Sequence, residues 1–175
     1  MRARKRRAYL EYFHKNAAGE YVYAGDLYEF QGDARIRRRA LIRLWTCLGA
    51  AAALTVLGAC IPVPGLTGTW YILIPYVASV IALFSALWSL GEITAGGEPL
   101  REYIYEKARK RLRFRMILAA ACAVLALVGE LVFSLPRGIT ASGGLFLGWE
   151  AVSAGAAGLG TFQLSRLHWS KRKEE

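Results

Sequence analysis

Histidine and cysteine are scarce in this chain, and neither stands where chemistry would need it. The two histidines, His14 and His168, lie on the basic flanks near the two ends. The three cysteines, Cys47, Cys60 and Cys122, lie singly inside apolar stretches. No pair has disulfide or zinc spacing, so each cysteine is expected to act as a small inert hydrophobe. Also lacking are a nucleophile with a base at helical spacing and a lysine-bearing phosphate loop. The Gly96-Gly97 and Gly143-Gly144 pairs follow no strand and read as turn signals. The expectation is a protein that is not an enzyme and holds no cofactor or metal.

Acids are scarce too, 13 against 23 Lys and Arg, for a net charge of +10. That excess would suit nucleic acid if it formed one patch, but its position argues otherwise. Eleven bases fall in residues 1–43, seven in 91–115 and four in 165–175, leaving Arg137 alone in the other turns. Between these blocks lie four windows nearly free of charge: residues 44–61, 70–90, 116–135 and 145–164. At ~1.5 Å per residue each spans roughly 27–32 Å, the thickness of a bilayer core. The charge pattern is that of a positive-inside membrane protein with both termini cytoplasmic and no nucleic-acid partner. A cleaved leader is not expected, because the basic run 1–7 is followed by polar and aromatic residues and the first apolar run begins near Leu44.

The fold expected is an all-α integral membrane protein of four transmembrane helices arranged as two hairpins. A basic cytoplasmic segment (1–43) precedes the bundle (44–166), and a basic tail (167–175) follows it. The turn Pro62-Val63-Pro64-Gly65 closes the first hairpin. Residues 91–115 are expected to form a cytoplasmic amphipathic connector. In it Leu100, Tyr103, Ile104, Ala108 and Leu112 recur at three and four, a stripe suited to the membrane surface, and the helix is expected to continue into the third window. In 19–30, Tyr21 and Tyr23 alternate on one segment and Tyr28 and Phe30 on another, with Ala24-Gly25-Asp26 between them. This pattern predicts a small β-hairpin and a candidate interaction surface. The Arg and Lys collars suit the anionic inner leaflet. A weak repeat at an offset of 72 residues sets Arg37, Arg38, Arg39 and Arg43 on Arg109, Lys110, Arg111 and Arg115.

Only two acids, Glu130 and Glu150, lie inside the apolar windows. Each stands five residues from the outer end of its window, so the two are expected at one depth. The repeat places Gly58 and Ala78 at the corresponding positions of the first hairpin, which is apolar where the second is acidic. Glu130 shares a helical face with Ala119, Ala123, Ala126 and Ser134, the small side that packs on a neighbour. In the last window Gly144, Gly148, Ala151, Gly155 and Gly158 form one small stripe, expected to pack helices. A second stripe runs through Gly143, Glu150, Ala154, Ala157 and Thr161. A helix so stripped of bulk is expected between two neighbours, or between one neighbour and a second subunit. An ionised carboxylate at such depth costs a few kcal/mol or more, so each acid must be protonated, paired or wet.

Two functions fit these features. One is an accessory or interaction subunit of a membrane complex that meets a protein partner or its own copy. The other is a small oligomeric proton- or cation-coupled transporter or channel that uses Glu130 and Glu150.

Overall fold

The computed structural model describes residues 13–15, 19–23, 27–30, 33–95, 100–167 and 169–171. In chain order the elements are β1 (Phe13–Lys15), β2 (Tyr21–Tyr23), β3 (Leu27–Phe30), α1 (Ala34–Ala59), α2 (Pro64–Gly68) and α3 (Trp70–Ala95). They continue with β4 (Leu100–Arg101), α4 (Glu102–Ser134), α5 (Ala141–Ser165) and β5 (Trp169–Lys171). Asp33 caps α1 by accepting the Arg35 N–H at 3.2 Å, and Thr140 caps α5 by accepting the Gly143 N–H at 3.1 Å. Gly138, at φ 83°, makes the left-handed turn between α4 and α5.

The four long helices close into a ring in which α3 packs on α4, α4 on α5, α5 on α1 and α1 on α3. Their buried positions alternate at three and four residues. In α1 these are Leu44, Leu48, Ala51, Thr55 and Gly58; in α5 they are Gly143, Phe146, Glu150, Ser153, Ala157 and Gly160. A repeat of 3.5 residues is the seam of a four-helix bundle. Outside the narrow seam the surface stays apolar: Ile81, Phe84, Leu125 and Val132 are all more than half exposed or nearly so. That surface suits lipid as solvent. Three helical stretches, Ala34–Ala59, Trp70–Ala95 and Ala108–Ser134, are long and apolar enough to cross a membrane. Helix α5 matches them in length at 25 residues but is less apolar, because glycine, Trp149, Glu150 and Gln163 dilute its leucine and valine.

Two expectations need correction. The amphipathic connector turns Ala108 and Leu112 of its stripe to the bundle and not to a membrane surface. Residues 91–95 end α3 and 102–115 begin the 33-residue α4, whose Ala108 and Leu112 sit in the core beside Leu90, Ile93 and Leu164. Nothing between the collar and the apolar window stops a helix, so it runs through. The hairpin of 19–30 does not pair with itself either. β2 pairs antiparallel with β1, and β3 is the middle strand of a three-stranded antiparallel sheet in the order β4-β3-β5. A lone hairpin of such short strands is marginal, and β3 gains ladder bonds on both sides instead. The expected turn, 24–26, lies outside the described residues. Tyr21 is exposed, with the Lys15 ammonium over its ring, while Tyr28 stacks on Tyr105 of α4 at 4.7 Å. Tyr23 shares β2 with Tyr21 and Phe30 shares β3 with Tyr28, so the four aromatics divide between two sheets.

In α5 the second small stripe turns inward and the first, expected to pack helices, lies on the outer face of this single chain. Gly144, Gly148, Ala151, Gly155 and Gly158 are exposed, and a Cβ added at Gly148, Gly155 or Gly158 would meet nothing within 4 Å. The helix is turned by one residue, about 100°, so that Phe146 and Glu150 enter the seam. The close approach between helices is elsewhere. A Cβ at Gly129 would stand 3.0 Å from Ile72 Cγ1 and 3.5 Å from the Tyr71 ring. Gly129→Leu is therefore expected to destabilise the α3–α4 contact by about 1–3 kcal/mol. Gly155→Ala should instead raise stability by up to about 1 kcal/mol through helix propensity. Thermal melts in detergent of the two variants should shift in opposite directions.

The three-stranded sheet draws together the N-terminal segment, the α3–α4 connection and the C-terminal tail, so all three meet at one end of the bundle. This is the basic end. The α2 turn and the α4–α5 turn lie at the opposite, turn end.

Candidate functional site

Both acids point into the bundle, each 1% exposed. The helix seams that put Glu130 in line with Ala126 and Ser134, and Glu150 in line with Phe146 and Ser153, carry them there. They do not lie at one depth. Glu130 is four residues from the end of α4 and Glu150 nine from the start of α5. At ~1.5 Å per residue these are about 6 Å and about 14 Å from the turn end. The difference arises because α5 begins at Ala141, a full turn before its apolar window.

The outer carboxyl, Glu130, sits in a cradle of small groups. Ser134 donates to its Oε1 at 3.2 Å, while Oε2 has no hydrogen-bond partner among the described residues. Against it lies the backbone of Gly65 in α2, where an added Cβ would overlap the carboxyl; at Gly143 an added Cβ would stand 3.4 Å from Oε1. Two glycines from two turns make room for one acid.

The inner carboxyl, Glu150, has no partner on either oxygen among the described residues. The acids therefore do not hydrogen-bond one another. Glu150 is within electrostatic reach of the Tyr76 hydroxyl, which donates to the Thr55 carbonyl. The Tyr76 ring lies 5.6 Å from that of Phe146, which separates the two acid levels along the α5 seam. One turn further in, Thr55 and Ser153 share a hydrogen bond of 2.8 Å between α1 and α5. A chain of hydroxyls thus begins where the acids end.

No family model, curated protein or solved structure matches this chain. The site stands on its own chemistry.

That chemistry is limited and definite. A buried carboxyl without a donor is tolerated as the neutral acid, or with a cation or water supplied to it. Among the described residues no three His, Cys, Asp or Glu side chains gather as a metal site. The cysteines are free, with Cys60 exposed at the end of α1. The sequence marked both acids but missed Gly65, Tyr76, Phe146, Thr55 and Ser153. One signal was available: Val63 and Leu66 are apolar residues in what reads as an exposed turn, and both are buried because α2 folds back onto the bundle.

Proposed function

We propose that the chain is a four-span membrane protein that serves as an accessory or interaction subunit, with both termini and its sheet in the cytoplasm. In this reading α5 is the fourth span, since its length matches its neighbours and it packs between α4 and α1. The positive-inside distribution supports the orientation. The observation that carries the interaction role is the sheet at the basic end. Three segments far apart in sequence, each too short to be stable alone, are ordered into one surface whose outer strands β4 and β5 pair on only one side among the described residues. The collars of α1 and α4 hold this surface at the anionic leaflet.

The test is the mass of the complex extracted from native membranes in a mild detergent. Removing residues 1–30 takes away β3 and should reduce that mass to the chain itself; an unchanged complex rejects the interaction role.

A second function, proton- or cation-coupled transport, is favoured by the unpartnered oxygens of Glu130 and Glu150. A purely structural acid would find a donor for each oxygen. In liposomes the parent should then carry a proton or cation flux that Glu130→Gln and Glu150→Gln together abolish. No flux in the parent, or the same flux in the double variant, rejects transport.

A further inference from the structure

We propose that Glu130 is the outer station of a proton-binding site entered from the turn end only, and that the short helix α2 is its lid. This rests on the second function above, in that the buried carboxyls exchange a proton; it adds the route and the gate.

The route follows from where polar and apolar groups lie. Glu130, Ser134, Glu150, Thr55 and Ser79 are buried in the half of the bundle nearer the turn end, with Ser153 at the middle of α5. The half nearer the basic end is filled by Leu44, Leu48, Leu83, Leu90, Leu112 and Met116, each no more than 1% exposed. Among the described residues its buried hydroxyls are both tied to arginines, Ser89 to the Arg115 guanidinium, which also donates to the Ser85 carbonyl at 2.6 Å, and Tyr105 to that of Arg109. A proton that reaches Glu130 or Glu150 has hydroxyls on the turn side and, on the other, a leucine-filled seam in which Ser89 and Tyr105 are already engaged by arginines. The geometry is that of a one-sided station.

The lid follows from the contact between α2 and the acid. Gly65 backbone lies directly on the Glu130 carboxyl, closing the side on which Oε2 is unpartnered. Val63 and Leu66 seat α2 in the apolar cluster of Ile72, Tyr76, Ala126 and Phe146. The Gly65 carbonyl is already taken by the Thr69 N–H and hydroxyl, at 3.1 and 2.5 Å, so it offers the acid nothing. Pro64 at the first position and Gly68 at the last mark off a five-residue unit. Lifting it exposes Oε2 to water without disturbing a long helix.

A proton fits this pocket better than a metal ion, since it needs one lone pair where a hard cation needs a shell of oxygens. The titratable groups that face this half are Glu130 from α4, Glu150 from α5, Tyr71 and Tyr76 from α3 and Cys60 from the end of α1. Helix α2 has none, and Arg137 in the far turn is laid over the Phe133 ring at 4.3 Å.

Carbodiimides react with protonated carboxyls, so they read both occupancy and access. The full chain is reconstituted in vesicles of phosphatidylethanolamine and phosphatidylglycerol, and labelling is mapped by mass spectrometry. With membrane-permeant dicyclohexylcarbodiimide, Glu130 and Glu150 should label, more slowly as pH rises. With a membrane-impermeant carbodiimide, Glu130 should label only from the face bearing the α2 turn.

Gly65→Ala, which cannot seat α2, should raise labelling of Glu130 about tenfold, the effect of weakening closure by about 1.4 kcal/mol. Gly68→Ala, where an added Cβ meets nothing within 4 Å, should leave it unchanged. If neither carboxyl labels, or labelling ignores pH, proton exchange itself is rejected. If labelling depends on pH but Gly65→Ala matches the parent, only the lid is rejected. Reaction of Glu130 from the basic face overturns the one-sided route in the parent protein, whatever the variants do. Protection by sodium ions at constant pH replaces the proton by a cation and overturns the assignment of the occupant.

Discussion

Phe146→Ala is expected to destabilise the protein by about 2–3 kcal/mol. In water-soluble cores the same change costs about 3–5 kcal/mol, a transfer term plus a cavity term. Between helices in lipid the transfer part is largely absent, since hydrocarbon surrounds the helix in either state. The cavity part remains in full. Phe146 is completely buried, tilted against the Tyr76 ring at 5.6 Å, and an added Cβ on Gly58 would be 3.7 Å from it. Three helices would lose contacts at once. At about 2–4 °C per kcal/mol for a chain of this size, the melting midpoint in detergent should fall by about 4–12 °C. Phe84→Ala, on the outer face of α3 at 52% exposure, should move it little. Equal shifts for the two would mean that Phe146 is not a packing centre. The cavity would also join the two acid levels, so carbodiimide labelling of Glu150 should rise in the same variant.

The long helices were legible because an apolar window of bilayer length has few alternatives, and the inward aim of Glu130 was legible because Ala119, Ala123 and Ala126 share its face. The rest failed for identifiable reasons. Strand pairing in 13–30 was not readable, since strands of three or four residues with one or two aromatics each fit several partners, and those of β3 come from residues 100–101 and 169–171. The rotation of α5 was ambiguous because its two small stripes lie one residue apart. Bulk decided it: with Phe146 in the seam, Gly148 and Gly155 face outward. The depth of Glu150 was misjudged because polar Ser142, Gly143 and Gly144 hide the first turn of α5 from a hydropathy window. The basic collar before residue 44 concealed the start of α1 at Ala34 in the same way, as charge on the flank of a helix does not end it.

Glu150→Met should make the protein more stable, by about 1–3 kcal/mol. A buried polar group that lacks a partner costs that much relative to an apolar side chain of similar shape. Methionine fills an irregular space of glutamate's length without strain. Glu130→Met should gain less, because it also removes the acceptor of the Ser134 hydroxyl at 3.2 Å. The order of melting midpoints in detergent is therefore expected to be Glu150→Met, then Glu130→Met, then the parent. The opposite result is informative. If Glu150→Met destabilised the fold by about 3–5 kcal/mol, the carboxylate would be one half of a buried ion pair, since removing one partner of such a pair costs about that much. A carboxyl that lowers stability where it stands is the mark of a group kept for something other than stability. The same substitution should then abolish proton exchange at Glu150, linking the gain in stability to the loss of function in one variant.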